Sequence, residues 1–282
     1  MEKGVETMNP PIVMAAFGTT SSAMDTYRHI DAQVKTVFPD REIRWAYTSR
    51  MVRAHMKKHR NAAMPHLRQV LDDLHARDHR WAVVQSLHLV CGHEFYRLVA
   101  DANHPEIRTS IGMPLLYSVE DFQVMVRSLA PLVEKHDDEA VVFVGHGTDH
   151  PAWCAYTALT HMLQERFGSK AHVGVVEEGY PQGDAIVRAV AAAGYGRVRL
   201  VPLMLVAGVH FEEDLAGEES SWKSDFEAFG IEVVLEGSGL GLYAPIVEQF
   251  CRHTAAALDV IPRITSHMMK QGAGPVFTAN PR

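Results

Sequence analysis

Short apolar runs alternate along the chain with stretches whose apolar residues recur every three or four positions. The runs at 12–17, 42–48, 81–89 and 113–117 predict strands, with helices predicted over 23–37, 62–76 and 119–135. The pattern then begins again. Strands are predicted at 141–144, 172–177, 197–206 and 232–236, and helices at 153–167, 184–193, 221–229 and 244–258. Strand–helix alternation at this spacing builds βαβ units, which means mainly parallel sheets with helices on both faces.

The second round repeats the first in detail. The segment Phe-Gly-Thr-Thr-Ser-Ser-Ala at 17–23 resembles His-Gly-Thr-Asp-His-Pro-Ala at 146–152. Leu-Val-Cys-Gly-His-Glu-Phe at 89–95 resembles Leu-Val-Ala-Gly-Val-His-Phe at 205–211. The expected fold is α/β, with two similar domains at 1–128 and 129–262 and a cleft between them. Residues 263–282, rich in glycine and proline near the end, read as a poorly ordered tail. Open parallel sheets bind ligands beyond the carboxyl ends of their strands, so the cleft is the expected site.

Composition removes several classes of function. At 47% apolar and 22% charged residues over 282 positions, the chain can fill two cores. The net charge of −7, with no dominant Lys/Arg run, argues against a nucleic-acid partner. Cys91, Cys154 and Cys251 form no CxxC pair and suit a reducing compartment. With no signal-like segment and no apolar stretch long enough to span a bilayer, the expectation is a cytoplasmic protein without membrane contact. The GxGxxG, P-loop, GxSxG and HExxH motifs are absent, which leaves nucleotide enzymes and serine hydrolases without support.

Three strand ends of the second half carry groups that ligate metals or move protons. His146 sits between two glycines after a buried strand, His210 follows another, and Glu177 and Glu178 end a third. Adjacent residues at a strand end point to opposite faces, so only one of the two glutamates can face the cleft. Each position taken singly suits a helix cap or a solvated turn equally well. Together they place two imidazoles and a carboxylate on one edge of one sheet, a donor set for borderline divalent ions such as cobalt, iron, nickel or zinc. The first half lacks the set, with Phe17 at the repeat position of His146 and Glu94 at that of His210. His88, His93 and Glu94 form a second polar group after the third strand, although His88 alternates with Leu87 and Leu89 and suits a core position too.

These stretches resemble the anaerobic cobalt chelatases of cobalamin biosynthesis, the CbiK type within the class-II chelatase group. The resemblance rests on FGTT at 17–20, AYTSRMV at 46–52, QSLH at 85–88, GMPLL at 112–116, VVFVGHG at 141–147, VGVVEEGYP at 173–181, VPLMLVAGVHFEEDLAG at 201–217 and SGLG at 238–241. It spans residues 11–262. It implies metal ligation by His146, Glu178 and His210; metal insertion also needs a proton acceptor, and His146 is the candidate for that role. Counting back from Pro181 selects Glu178, while counting forward from Gly174 selects Glu177; the register on Pro181 is anchored closer. His88 and Glu94 are the weaker candidates, for contact with substrate.

The implied reaction inserts Co²⁺ into sirohydrochlorin without ATP, with Fe²⁺ as a second metal substrate and no cofactor beyond the substrate metal. The macrocycle carries eight carboxylates, so an acidic chain must concentrate positive charge at the cleft rim, with Arg50, Arg53 and Arg97 as candidates. Homo-oligomers occur among the chains resembled. The alternative reading is a two-lobed metal or haem carrier without turnover.

Overall fold

The computed structural model describes residues 9–19, 24–60, 64–177 and 179–271. Its strands are β1 (Ile12–Ala16), β2 (Ile43–Tyr47), β3 (Trp81–Ser86), β4 (Arg108–Gly112), β5 (Ala140–Gly145), β6 (Ala171–Val175), β7 (Arg197–Pro202) and β8 (Glu232–Leu235). The helices are α1 (Met24–Val37), α2 (Arg50–Arg60), α3 (Leu67–Ala76), α4 (His93–Ala102), α5 (Val119–Val133), α6 (Cys154–Phe167), α7 (Gly183–Ala192), α8 (Trp222–Ala228) and α9 (Ala244–Gln271). Two four-stranded parallel sheets form, in the orders β2-β1-β3-β4 and β6-β5-β7-β8.

Strands β1 and β5 are apolar throughout because both of their faces are covered. Ile12, Met14 and Ala16 of β1 face a core that also takes in Val141 and Phe143 of β5, so one apolar cluster serves both sheets. Helices α1, α5, α6 and α9 supply that shared cluster, through residues such as Ile30, Leu129, Leu159 and Phe250. Val13 and Ala15 point the other way, onto α3 and α4. In the second sheet Val142 and Val144 pack onto α7 and α8.

The fourth strand is not the apolar run 113–117 but the more polar β4 immediately before it. Leu115 and Leu116 are buried as loop residues, their N–H groups donating to His88 O and Leu89 O. Burial without extended pairing explains why the apolar signal there marks the wrong segment. Helices α2 and α4 fall where no element was predicted. The last helix runs well past 258 to Gln271 and takes in residues 263–271 of the expected tail, whose remainder lies outside the described residues. Although it follows the second sheet in sequence, α9 packs on β3 and β4 of the first. Ser110 Oγ donates to Ala257 O at 2.6 Å, and Thr254 Oγ1 donates to Gln85 Oε1 at 3.0 Å. No helix among the described residues is long and apolar enough to cross a membrane.

Candidate metal centre

The carboxyl ends of the two sheets meet. His93, at the start of α4, lies 2.8 Å from Asp149 Oδ1 in the loop after β5, and its ring stands edge-on to His150 at 4.9 Å between centroids. Tyr96 approaches His150 at 5.3 Å.

Backbone hydrogen bonds superimpose the two halves residue by residue. Thr48 N donates to Ala16 O and Ser49 N to Phe17 O, just as Val176 N donates to Gly145 O and Glu177 N to His146 O. Leu87 N donates to Ala15 O as Leu203 N donates to Val144 O. The tyrosines repeat as well: Tyr27 Oη accepts from Gly18 N at 3.3 Å, and Tyr156 Oη from Gly147 N at 3.4 Å. Both glycines have positive φ, +103° and +94°, a region that favours residues without Cβ. This turn swings the chain sharply off the strand and leaves Phe17 and His146 presented at the edge. Phe17, Ser49 and Glu94 therefore occupy in the first half the places held in the second by His146, Glu177 and His210.

Those three residues of the second half come together. One ligand atom from each lies within 4.8 Å of the other two, the one such His/Cys/Asp/Glu group among the described residues. The rings of His146 and His210 meet edge to face, 4.6 Å between centroids. His146 and Glu177 are exposed and His210 half-buried, so the group opens to the cleft. Of the two glutamates left open by the sequence, Glu177 is in the group; Glu178 lies outside the described residues.

Second contacts orient the imidazoles. His210 begins a π-helical turn, Phe211–Leu215, which brings Asp214 Oδ2 to 2.7 Å from its Nδ1. A proton held on Nδ1 by that carboxylate leaves Nε2 with a lone pair for a metal. His146 Nδ1 lies 3.3 Å from Gly147 O, an arrangement with the same consequence. Asp214 also lines a polar pocket of about 410 Å³ with Asp184 and Asp225. Burial, and then the charge of Asp184, push the Asp225 carboxyl up. The flank behind His210 is thus negative and favours cations.

The weaker candidates stand apart from the group. His88 lies two residues past β3 with Nδ1 2.9 Å from Ser86 Oγ, while its Nε2 is buried without a partner. Burial drives this imidazole down to about 4, so it is neutral at physiological pH. Glu94 is paired with Arg97, which takes Arg97 out of the pool of free cations at the rim. Asp214 was passed over in the sequence; its signal is an acid four residues after a candidate ligand, in a turn whose π geometry no periodicity marks.

A family model described as cobalt chelatase (CbiK) matches residues 11–259. The chain belongs to that family. It is 33% identical over 263 residues to the sirohydrochlorin cobaltochelatase of Salmonella typhimurium, covering 90% of this chain and 98% of that one. A relative from Nitratidesulfovibrio vulgaris, sirohydrochlorin cobaltochelatase CbiKC, is 34% identical over 262 residues, 89% of this chain and 91% of its own. Among solved structures, SirB from Bacillus subtilis with Fe³⁺ superposes at a TM-score of 0.65 and 14% identity, over 91% of this chain and 98% of that one. The sirohydrochlorin chelatase SirB of Bacillus subtilis subspecies spizizenii, in complex with cobalt, gives 0.60 at 14% identity, over 89% and 96%. These structures share the two-sheet chelatase fold with this CbiK-family chain.

Proposed function

We infer that this chain inserts Co²⁺ into sirohydrochlorin without ATP, in the anaerobic route to cobalamin, and accepts Fe²⁺ as a second metal substrate. The observation that carries the reading is the grouping of His146, Glu177 and His210 at the open edge of the second sheet in a CbiK-family chain. Three donors from one side leave coordination positions free, the arrangement of a site that works on a metal and not one that stores it. The exposed rings of Phe17 just past β1, Tyr96 in α4, and Trp153 and Tyr180 in the segments that follow β5 and β6 offer apolar surface to a flat macrocycle.

The chemistry follows from the donor set. The ion exchanges part of its water shell for two imidazoles and one carboxylate, and enters the cleft weakly enough held to be passed on. Insertion forms four metal–nitrogen bonds and releases two N–H protons from the macrocycle. A neutral imidazole accepts a proton near pH 7. We assign one of these protons to His146, on the nitrogen that the ion vacates as it passes to the macrocycle, while the second proton goes to water and Glu177 and His210 hold the ion until transfer; His88 and Glu94 contact the macrocycle from the opposite half. No resident cofactor enters the scheme.

The test is an absorbance assay of purified protein with sirohydrochlorin and Co²⁺ or Fe²⁺, without ATP, beside His146→Ala and His210→Ala. The expected result is spectral conversion by the parent chain and a loss of ~100-fold or more in each variant, of the order that general-base catalysis supplies. Both side chains stand at the open edge, so thermal melting should barely move. Tight binding without conversion would replace the enzyme with a two-lobed carrier.

A further inference from the structure

Helix α2 differs from the rest of this acidic chain. Its eleven residues, Arg-Met-Val-Arg-Ala-His-Met-Lys-Lys-His-Arg, include no acid. Elsewhere most cations face carboxylates, as in Arg44 with Asp73, Arg77 with Glu42, Arg97 with Glu94 and Arg199 with Glu139. Among the described residues, no carboxylate lies within ion-pair distance of Arg50, Arg53, Lys57 or Lys58. Arg50, Arg53 and Lys57 recur at i, i+3 and i+7, one stripe of a helix. Met56, three residues after Arg53, is buried beside this stripe and fixes the helix against the first sheet. Arg53 Nε is buried with no hydrogen-bond partner, and a buried unpaired donor on a cation is costly unless a ligand completes it.

The location suits a ligand in the cleft. Ser49 caps the helix, accepting from Val52 N at 3.3 Å, and its own N–H donates to Phe17 O. Ser49 is the counterpart of Glu177, so α2 starts where the second half carries a metal-site carboxylate. Beside that start are the exposed ring of Phe17 and the exposed side chain of Met51. An apolar edge flanked by unpaired cations is complementary to a flat apolar ring that bears carboxylates around its rim.

We propose that helix α2 binds the acidic side chains of the tetrapyrrole through Arg50, Arg53 and Lys57, opposite the metal group. This rests on the chelatase reading and adds to it which surface holds the substrate. The metal then approaches from one half while the macrocycle is held by the other.

The experiment is equilibrium titration of the full chain with metal-free sirohydrochlorin, followed by absorbance, and separately with Co²⁺ alone. It compares the parent with Arg50→Gln/Arg53→Gln/Lys57→Gln, and with Arg127→Gln/Lys135→Gln/Arg252→Gln as a control for net charge. The expected outcome is a Kd for sirohydrochlorin raised ~10-fold or more in the α2 variant, with a weaker salt dependence and Co²⁺ affinity unchanged. Arg50→Lys/Arg53→Lys should restore most of the affinity. A folded α2 variant that binds sirohydrochlorin as tightly as the parent, or a control that loses as much, overturns the proposal and leaves the chelatase reading standing. A parent chain that does not bind sirohydrochlorin overturns both.

Discussion

At the scale of single residues, the edge-to-face approach of His146 and His210 leaves room for one carboxylate, and the backbone places Glu177 there. Glu177→Gln should weaken Co²⁺ binding by ~100-fold, the upper end of the ~10–100-fold loss typical for a residue that only orients a ligand. Glu178→Gln, the substitution favoured by the sequence register, should change it by less than about threefold. Calorimetric titration of the two variants decides between them, and the reverse order would move the ligand to Glu178. His88 makes a different prediction. Its folded value of about 4 lies below the ~6.5 of a free imidazole. Between those values the unfolded chain carries a proton that the folded chain does not. Its effect on stability is therefore neutral above about pH 6.5, and stability falls as the pH drops toward 4. Urea midpoints of His88→Gln should drop less than the parent's between pH 7 and pH 4.5; equal slopes would show that His88 is not the residue responsible.

At the scale of elements, the stretch that presents His146 depends on the residue before it. Gly145 occupies the place of Ala16 in the first half, by the pairing of Gly145 with Val175 and of Ala16 with Tyr47. A Cβ at Gly145 would come within 2.5 Å of Tyr156 Cε1. Tyr156 is the residue whose hydroxyl accepts from Gly147 N, so displacing its ring disturbs the turn beside the metal group. Gly145→Ala should cost roughly 1–3 kcal/mol, as for other overpacked interiors. Its turnover should fall further than its share of folded protein explains. Activity measured well below the melting temperature tests this, and normal turnover there would show that the ring yields without moving the turn.

At the scale of the whole molecule, the two halves are repeats but not independent bodies. Their shared cluster and the crossing of α9 join them. Gln249 Nε2 donates to Leu115 O at 2.7 Å, and His253 contacts Met113 O and Asp121 Oδ1, each at 2.8 Å. Burial pushes the Asp121 carboxyl up, but its hydrogen bonds from Ser118 and His253 outweigh this and hold it below the usual range. Unfolding should therefore be a single transition. Trp45 and Trp81 report on the first half, Trp153 and Trp222 on the second. Variants keeping one pair or the other should show coincident urea midpoints. Separated midpoints would mean that the halves unfold one at a time.

Much of this was legible in the residues. The repeat of Phe-Gly-Thr-Thr in His-Gly-Thr-Asp, the continuous apolar strands and the three strand-end candidate ligands pointed to two parallel sheets and to the edge where those candidates gather, because period and turn chemistry are local properties. The fourth strand was misplaced because burial of Leu115 and Leu116 gives the same apolar signal whether the backbone pairs or not. Helix α2 was missed because its cations obscure a narrow apolar side. Three matters were decided by tertiary structure alone. Glu177 joins the two histidines because the backbone pairing of β6 with β5 sets its height at the sheet edge. Asp214 reaches His210 through a π turn that leaves no period in the sequence. Helix α9 packs on the sheet that precedes it by more than a hundred residues, since chain order does not dictate which apolar face a helix covers.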